Sequence, residues 1–168
     1  MSKINVKDIA FIAIFSAIIL VLEYALHFLP NVQLTVLLLV LFSKKLGLLR
    51  TSIITLIYVL LDTFLGGGFS IYYFPSMLIG WLIIPVTLNT IFKRVENPIY
   101  LALLGIMYSF IYCWLFAIPS ILITNVYLID YLAADLLFEI ILAVSSFLSI
   151  LWLYKPLGRF LDKLYKRD

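Results

Sequence analysis

DIAFIAIFSAIILVLEYALHF, residues 8–28, runs uncharged from Ile9 until Glu23 and His27, one helical turn apart near its far end. At about 1.5 Å per residue, a helix of this length crosses a bilayer core of roughly 30 Å. Its first half carries Ala10, Ala13 and Ala17 at helical spacing, with Ser16 beside them. Small side chains in that pattern let another helix approach closely. Its other end places ionisable groups at the opposite face of the membrane, just before the break at Pro30-Asn31. Such groups in a span mark function by default, because hydrocarbon does not solvate them.

The rest of the chain agrees with a membrane origin. Of its 168 residues 65% are hydrophobic and 12% charged, with a mean hydropathy of +1.17. A soluble domain carries about a quarter charged residues. The reading is an all-α membrane protein forming one compact bundle over residues 1–168, with no appended soluble domain. Lys3 and Lys7 ahead of an apolar run resemble a signal peptide, but the run is long for one and 23–27 make a poor cleavage site, so the segment reads as a retained span. The lone Cys113 lies in an apolar run and implies neither a disulfide framework nor a Cys-based metal site.

Further apolar segments cover residues 32–42, 51–65, 71–92, 98–118 and 131–154. The second is short and reads either as a re-entrant segment or as a short span with Pro30-Asn31-Val32-Gln33 below the outer surface. Gly66, Gly67 and Gly68 form a flexible break, a loop by default and a lid by hypothesis. Pro75 and Pro85 should kink the fourth segment, residues 119–130 read as a loop, and 155–168 as a basic interfacial helix.

Charge decides between five and six spans. With six, all twelve Lys and Arg fall on one side of the membrane. The positive-inside rule then makes that side cytoplasmic, with both termini in. Demoting residues 32–42 would move Lys93 and Arg94 across, so six is preferred. The acids Glu23, Asp62, Asp130, Asp135 and Glu139 all fall in or beside the outer half, without a basic companion. Carboxylates isolated in hydrocarbon cost several kcal/mol, so they should face water, share protons or hold a partner.

Asp135 and Glu139 share a helix face, as do Tyr58 and Asp62, and Tyr108 and Tyr112. Together with Glu23 they read as the wall of an outward-opening binding pocket, and His27 reads either as an interfacial residue or as part of that wall. The competing reading has them bonded to hydroxyls that fix helix packing. Tyr72 sits near a span end, where an aromatic belt is the usual explanation, while Trp81 and Trp114 lie within spans as core or as a stacking surface. No nucleophile–base set, metal-ligand motif or phosphate-cradling loop is present, so neither an enzyme nor a chain that hydrolyses ATP itself is expected, and no cofactor or nucleic-acid partner is indicated.

Six spans in so short a chain, and Ala13-Ile-Phe-Ser-Ala17 in the first, resemble the substrate-binding S component of energy-coupling factor (ECF) transporters. The resemblance implies a bacterial cell-membrane location and docking of the first helix, through Ala10, Ala13 and Ala17, on a transmembrane coupling protein driven by two ABC-type ATPases. It also implies a vitamin-like ligand bound near the outer surface under closing loops. An outer half rich in acids and without Lys or Arg suits a cation or an amidine-like donor pair, and its aromatics suit a flat ring. Thiamine or its hydroxymethylpyrimidine precursor fits best, followed by pyridoxine-type compounds and aminated queuosine precursors, with riboflavin and cobalamin not excluded. The rival classes are a stand-alone secondary transporter using the same carboxylates, and a subunit with no ligand.

Overall fold

The computed structural model describes residues 4–66 and 69–165. Among them the chain forms six α-helices and no β-strand: α1 Val6–Ala25, α2 Thr35–Leu46, α3 Leu48–Leu65, α4 Tyr73–Asn89, α5 Pro98–Thr124 and α6 Leu128–Tyr165. Four of these, α1, α3, α5 and α6, are long and apolar enough to cross a membrane. The chain is a membrane-spanning protein.

Helix α2 is the axis of the bundle. It packs against each of the other five, which follow one another around it in the order α1, α3, α4, α5, α6. The ring is open between α1 and α6, whose backbones make no close approach. A helix apolar on every side belongs in an interior, and α2 is buried at every position from Thr35 to Ser43. Its 12 residues reach only about 18 Å. Enclosed by protein, it need not match the bilayer thickness.

Local chemistry sets the helix ends. The Asn5 side chain accepts from Asp8 N at 2.8 Å while Asp8 accepts from Asn5 N at 3.1 Å, a capping box that starts α1. Asn97 caps α5 by accepting from Ile99 N at 2.9 Å, with Pro98 at the first helical position. Asn125, in the left-handed region at φ 55°, closes α5.

Two segments depart from the sequence expectation. Residues 119–130 were expected as a loop, yet α5 runs through Pro119 to Thr124 and leaves only residues 125–127 between helices. The basic segment 155–168 was expected as a separate interfacial helix, yet α6 continues unbroken through Pro156 as far as Tyr165. A proline removes one backbone bond, and packing beyond it keeps the helix going. Past Pro156, Leu161 is buried and Asp162 receives a 2.6 Å bond from Lys45. Pro75 sits in the first turn of α4, where a proline costs little, and Pro85 lies inside that helix.

Ion pairs gather at one end of the bundle. Arg50 grips the buried Asp8 through Nε at 2.7 Å and Nη2 at 2.9 Å, joining the starts of α1 and α3. The Lys45–Asp162 pair joins the ends of α2 and α6. Lys44 Nζ donates to the carbonyls of Leu88, Phe92 and Lys93, placing a cation over the last turn of α4 and the turn that follows. At the opposite end lie Glu23, Asp62 and the α1–α2 connection, which is tied to α6 by Asn31 Nδ2 donating to Phe138 O at 3.1 Å. Gln33 exchanges backbone bonds with Ser145 Oγ there, at 3.2 and 3.1 Å.

Candidate functional site

At the end away from the ion pairs, a cavity of about 670 Å3 opens between the last turns of α1 and α3 and the α1–α2 connection. Its polar wall consists of Glu23, Tyr24 and His27 from α1 and the turn after it, Asn31 and Gln33 from the connection, and Asp62 from α3. No described Lys or Arg lines it. Gly66, which ends α3, completes the wall; a Cβ there would lie 2.8 Å from Asp62 O, 3.6 Å from the Tyr24 hydroxyl and 3.8 Å from Asp62 Oδ1. The glycine therefore lets the chain close tightly on the Asp62 carbonyl at the end of α3.

The two carboxylates come from helices that pack directly on each other, α1 and α3. Glu23 accepts from the Tyr58 hydroxyl through Oε2 at 2.5 Å. No described residue donates to its Oε1, nor to either oxygen of Asp62. Gln33 Oε1 is buried with no donor either. Buried acceptors in folded proteins normally find a donor, so this wall offers acceptors to whatever enters. His27, its ring stacked on Tyr24 with centroids 6.4 Å apart, is the one titratable base among the described residues of the lining.

Below the cavity lies an aromatic floor. Tyr58 and Trp81 are fully buried, and Trp81 stacks on Tyr112 with centroids 3.9 Å apart and planes 23° from parallel. The stack needs Gly80, since a Cβ at that position would lie 2.8 Å from Tyr112 Cδ2. These rings support the site from behind and do not line it.

The expected site residues thus divide. Glu23, His27, Asp62 and Gly66 line one cavity, with Tyr58, Trp81 and Tyr112 beneath. Gly67 and Gly68 lie outside the described residues. Tyr108 is buried one turn from Tyr112 and shares a 2.7 Å bond with Thr87 Oγ1, joining α4 to α5. Tyr72 and Trp114 are exposed at 57% and 53% and do not line the cavity. Asp135 and the buried Glu139 share one face of α6, as their spacing requires, but the face is turned to α5 near Cys113 and Trp114, not to the cavity. Glu139 Oε1 has no hydrogen-bond partner there.

Around them α5 and α6 meet through small residues. Ala102, Gly105, Ser109, Cys113 and Ala117 form a buried stripe on α5, and Ser109 shares a 2.9 Å bond with Ser146 of α6. Ala10, Ala13 and Ala17, by contrast, are all exposed on the outer face of α1.

Sequence reasoning passed over Tyr24, Asn31 and Gln33 as cavity residues. The signal for the last two was available: two amides beside Pro30, flanked on both sides by apolar runs, are unlikely company for hydrocarbon unless backbone or ligand satisfies them. Comparison of the chain with models of protein families, with curated proteins and with solved structures gives no match in any of the three.

Proposed function

We propose that this chain is the membrane-embedded binding subunit of an uptake system for a small cationic or amidine-bearing micronutrient, working as the S component of an ECF-type transporter. One observation carries the ligand chemistry: a cavity of about 670 Å3 walled by Glu23, Asp62 and the unpaired Gln33 Oε1, with no Lys or Arg among the described residues of its lining. A carboxylate or phosphate ligand would meet only acceptors and an imidazole there. A donor-rich ring or a cation would satisfy the acceptors and offset the adjacent negative charges. Thiamine or a hydroxymethylpyrimidine matches that description. The aromatic floor holds the wall in place behind it.

In this reading all six helices lie within the bilayer, the ion-paired end is cytoplasmic with both termini, and the cavity faces outward in a bacterial cell membrane. The supporting pattern is the sorting of ends. Every described Lys and Arg contact lies at one end, and the acids of the cavity lie at the other. The short α2 is compatible with it, being enclosed by its neighbours.

The exposed Ala10, Ala13 and Ala17 leave a smooth strip on α1, which supports docking of a transmembrane coupling protein served by two ATPases. Purification from native membranes tests this part: ATPase subunits should accompany the chain. Glu139, buried with an unbonded carboxyl oxygen, favours a second reading, a proton-coupled carrier that works alone. Uptake into ATP-free proteoliposomes by this chain by itself would support that reading over the first.

A further inference from the structure

The two carboxylates of the cavity are not held alike. Glu23 has its Oε2 taken by the Tyr58 hydroxyl at 2.5 Å, the short end of O–H···O bonds. Tyr58 itself is fully buried and outside the cavity lining, so it meets no ligand. It lies on the Tyr112 side of the bundle, where the Trp81–Tyr112 stack of α4 and α5 is packed too closely to accept a Cβ at Gly80. A phenol fixed in that way cannot follow Glu23 if the acid swings. Asp62, on the same helix one turn further on, receives no such bond and keeps both oxygens.

We propose that Tyr58 is a positioning residue that divides the work of the two acids. By using one lone pair of Glu23 Oε2 and fixing the orientation of that carboxylate, it leaves Oε1 as the oxygen of Glu23 with its full capacity, suited to one donor or one compact charge. Asp62 is left as the better acceptor for a planar pair of donors, because its carboxylate is free to turn both oxygens to two parallel bonds from an amidinium-type edge. The site then selects for a molecule with two separated features: a planar two-donor edge at Asp62, and a single donor or positive centre at Glu23. A compact quaternary cation carries only the second. A simple amidine carries only the first. This inference rests on the reading of the cavity as a ligand site and adds to it a division of roles.

The test is a double-mutant cycle read by calorimetric titration of purified protein with thiamine, whose aminopyrimidine presents two donors once the ring nitrogen beside its amino group takes a proton, with benzamidine and tetramethylammonium as single-feature probes. Glu23→Gln and Asp62→Asn should each weaken thiamine by about tenfold to a hundredfold. Tyr58→Phe keeps the ring and should weaken thiamine about tenfold in the native background, yet by less than about twofold when Glu23 is already Gln. Benzamidine binding should fall with Asp62→Asn and stay unchanged with Tyr58→Phe. Glu23→Asp, which draws the carboxylate back from the phenol, should reproduce the Tyr58→Phe loss and serves if the latter variant does not fold.

An equal loss from Tyr58→Phe in both backgrounds would make Tyr58 a packing residue and overturn the inference, with the ligand site intact. Thiamine binding indifferent to both Glu23→Gln and Asp62→Asn would instead overturn the site itself. Failure of the native protein to bind any of the three probes would overturn site and inference together.

Discussion

Replacing Gly80 by alanine tests whether the floor of the cavity is as tightly built as its geometry indicates. The added Cβ would stand 2.8 Å from Tyr112 Cδ2 and 3.5 Å from Leu115 Cδ1. Carbon atoms in contact prefer about 3.5–4.0 Å, so the Tyr112 ring has to retreat by most of an ångström. Its retreat is limited by Trp81, stacked against it at 3.9 Å between centroids. Overpacking of this kind costs about 1–3 kcal/mol, against a gain of up to about 1 kcal/mol from replacing a helical glycine. The net expectation is a loss of about 1 kcal/mol.

Gly158→Ala supplies the contrast. There the new Cβ would meet the flexible Lys45 Cε at 3.3 Å, which can move aside. That variant should be neutral or more stable by up to about 1 kcal/mol. Apparent thermal midpoints in one detergent, with near-ultraviolet circular dichroism reporting the Trp81–Tyr112 pair, separate the two. A Gly80→Ala protein as stable as Gly158→Ala, with an unchanged aromatic signal, would refute the close packing of α4 on α5.

Asp8→Asn should be the most damaging single change at the ion-paired end, because it removes the buried charge that Arg50 grips at two points; a loss of about 3–5 kcal/mol is expected in an unfolding titration. Ala13→Trp should block co-purification of the coupling protein and ATPases while thiamine titration of the isolated chain is unchanged; loss of both would assign that face of α1 to the chain's own integrity. Asp135→Asn should change thiamine affinity by less than about twofold, in contrast to Asp62→Asn, because Asp135 faces the α5–α6 seam and not the cavity. A larger effect of Asp135→Asn, measured on folded protein, would mean that the seam carries the ligand.

Much of the fold follows from run length. An apolar stretch such as residues 8–28 has few alternatives to a span, and the turn at Gly47 and the break at Gly66 mark both ends of α3. Prolines misled, because their effect depends on what packs beyond them. Pro119 reads as the start of a loop and the basic residues from Lys155 as the start of a separate tail, yet α5 carries Pro119 and α6 carries Pro156 inside, with later turns that continue.

The candidate site was legible in part for a similar reason. Spacing shows that Glu23 and His27, or Asp135 and Glu139, share a face, but not which neighbour that face meets. The first pair met α3 and the cavity; the second met α5, which the buried stripe from Ala102 to Ala117 had prepared as a close-packing surface. The Tyr58–Glu23 bond joins residues 35 apart in sequence, and no local pattern announces such a contact.

Mass spectrometry of the small molecule retained by the purified protein, comparing the native chain with the Glu23→Gln/Asp62→Asn double variant, is the direct check on the chemistry of the cavity. A retained molecule with a cationic centre or an amidine-type edge is expected, present in stoichiometric amount in the native protein and lost from the variant. A retained carboxylate or phosphate compound lacking such an edge, or equal retention by both proteins, would contradict it.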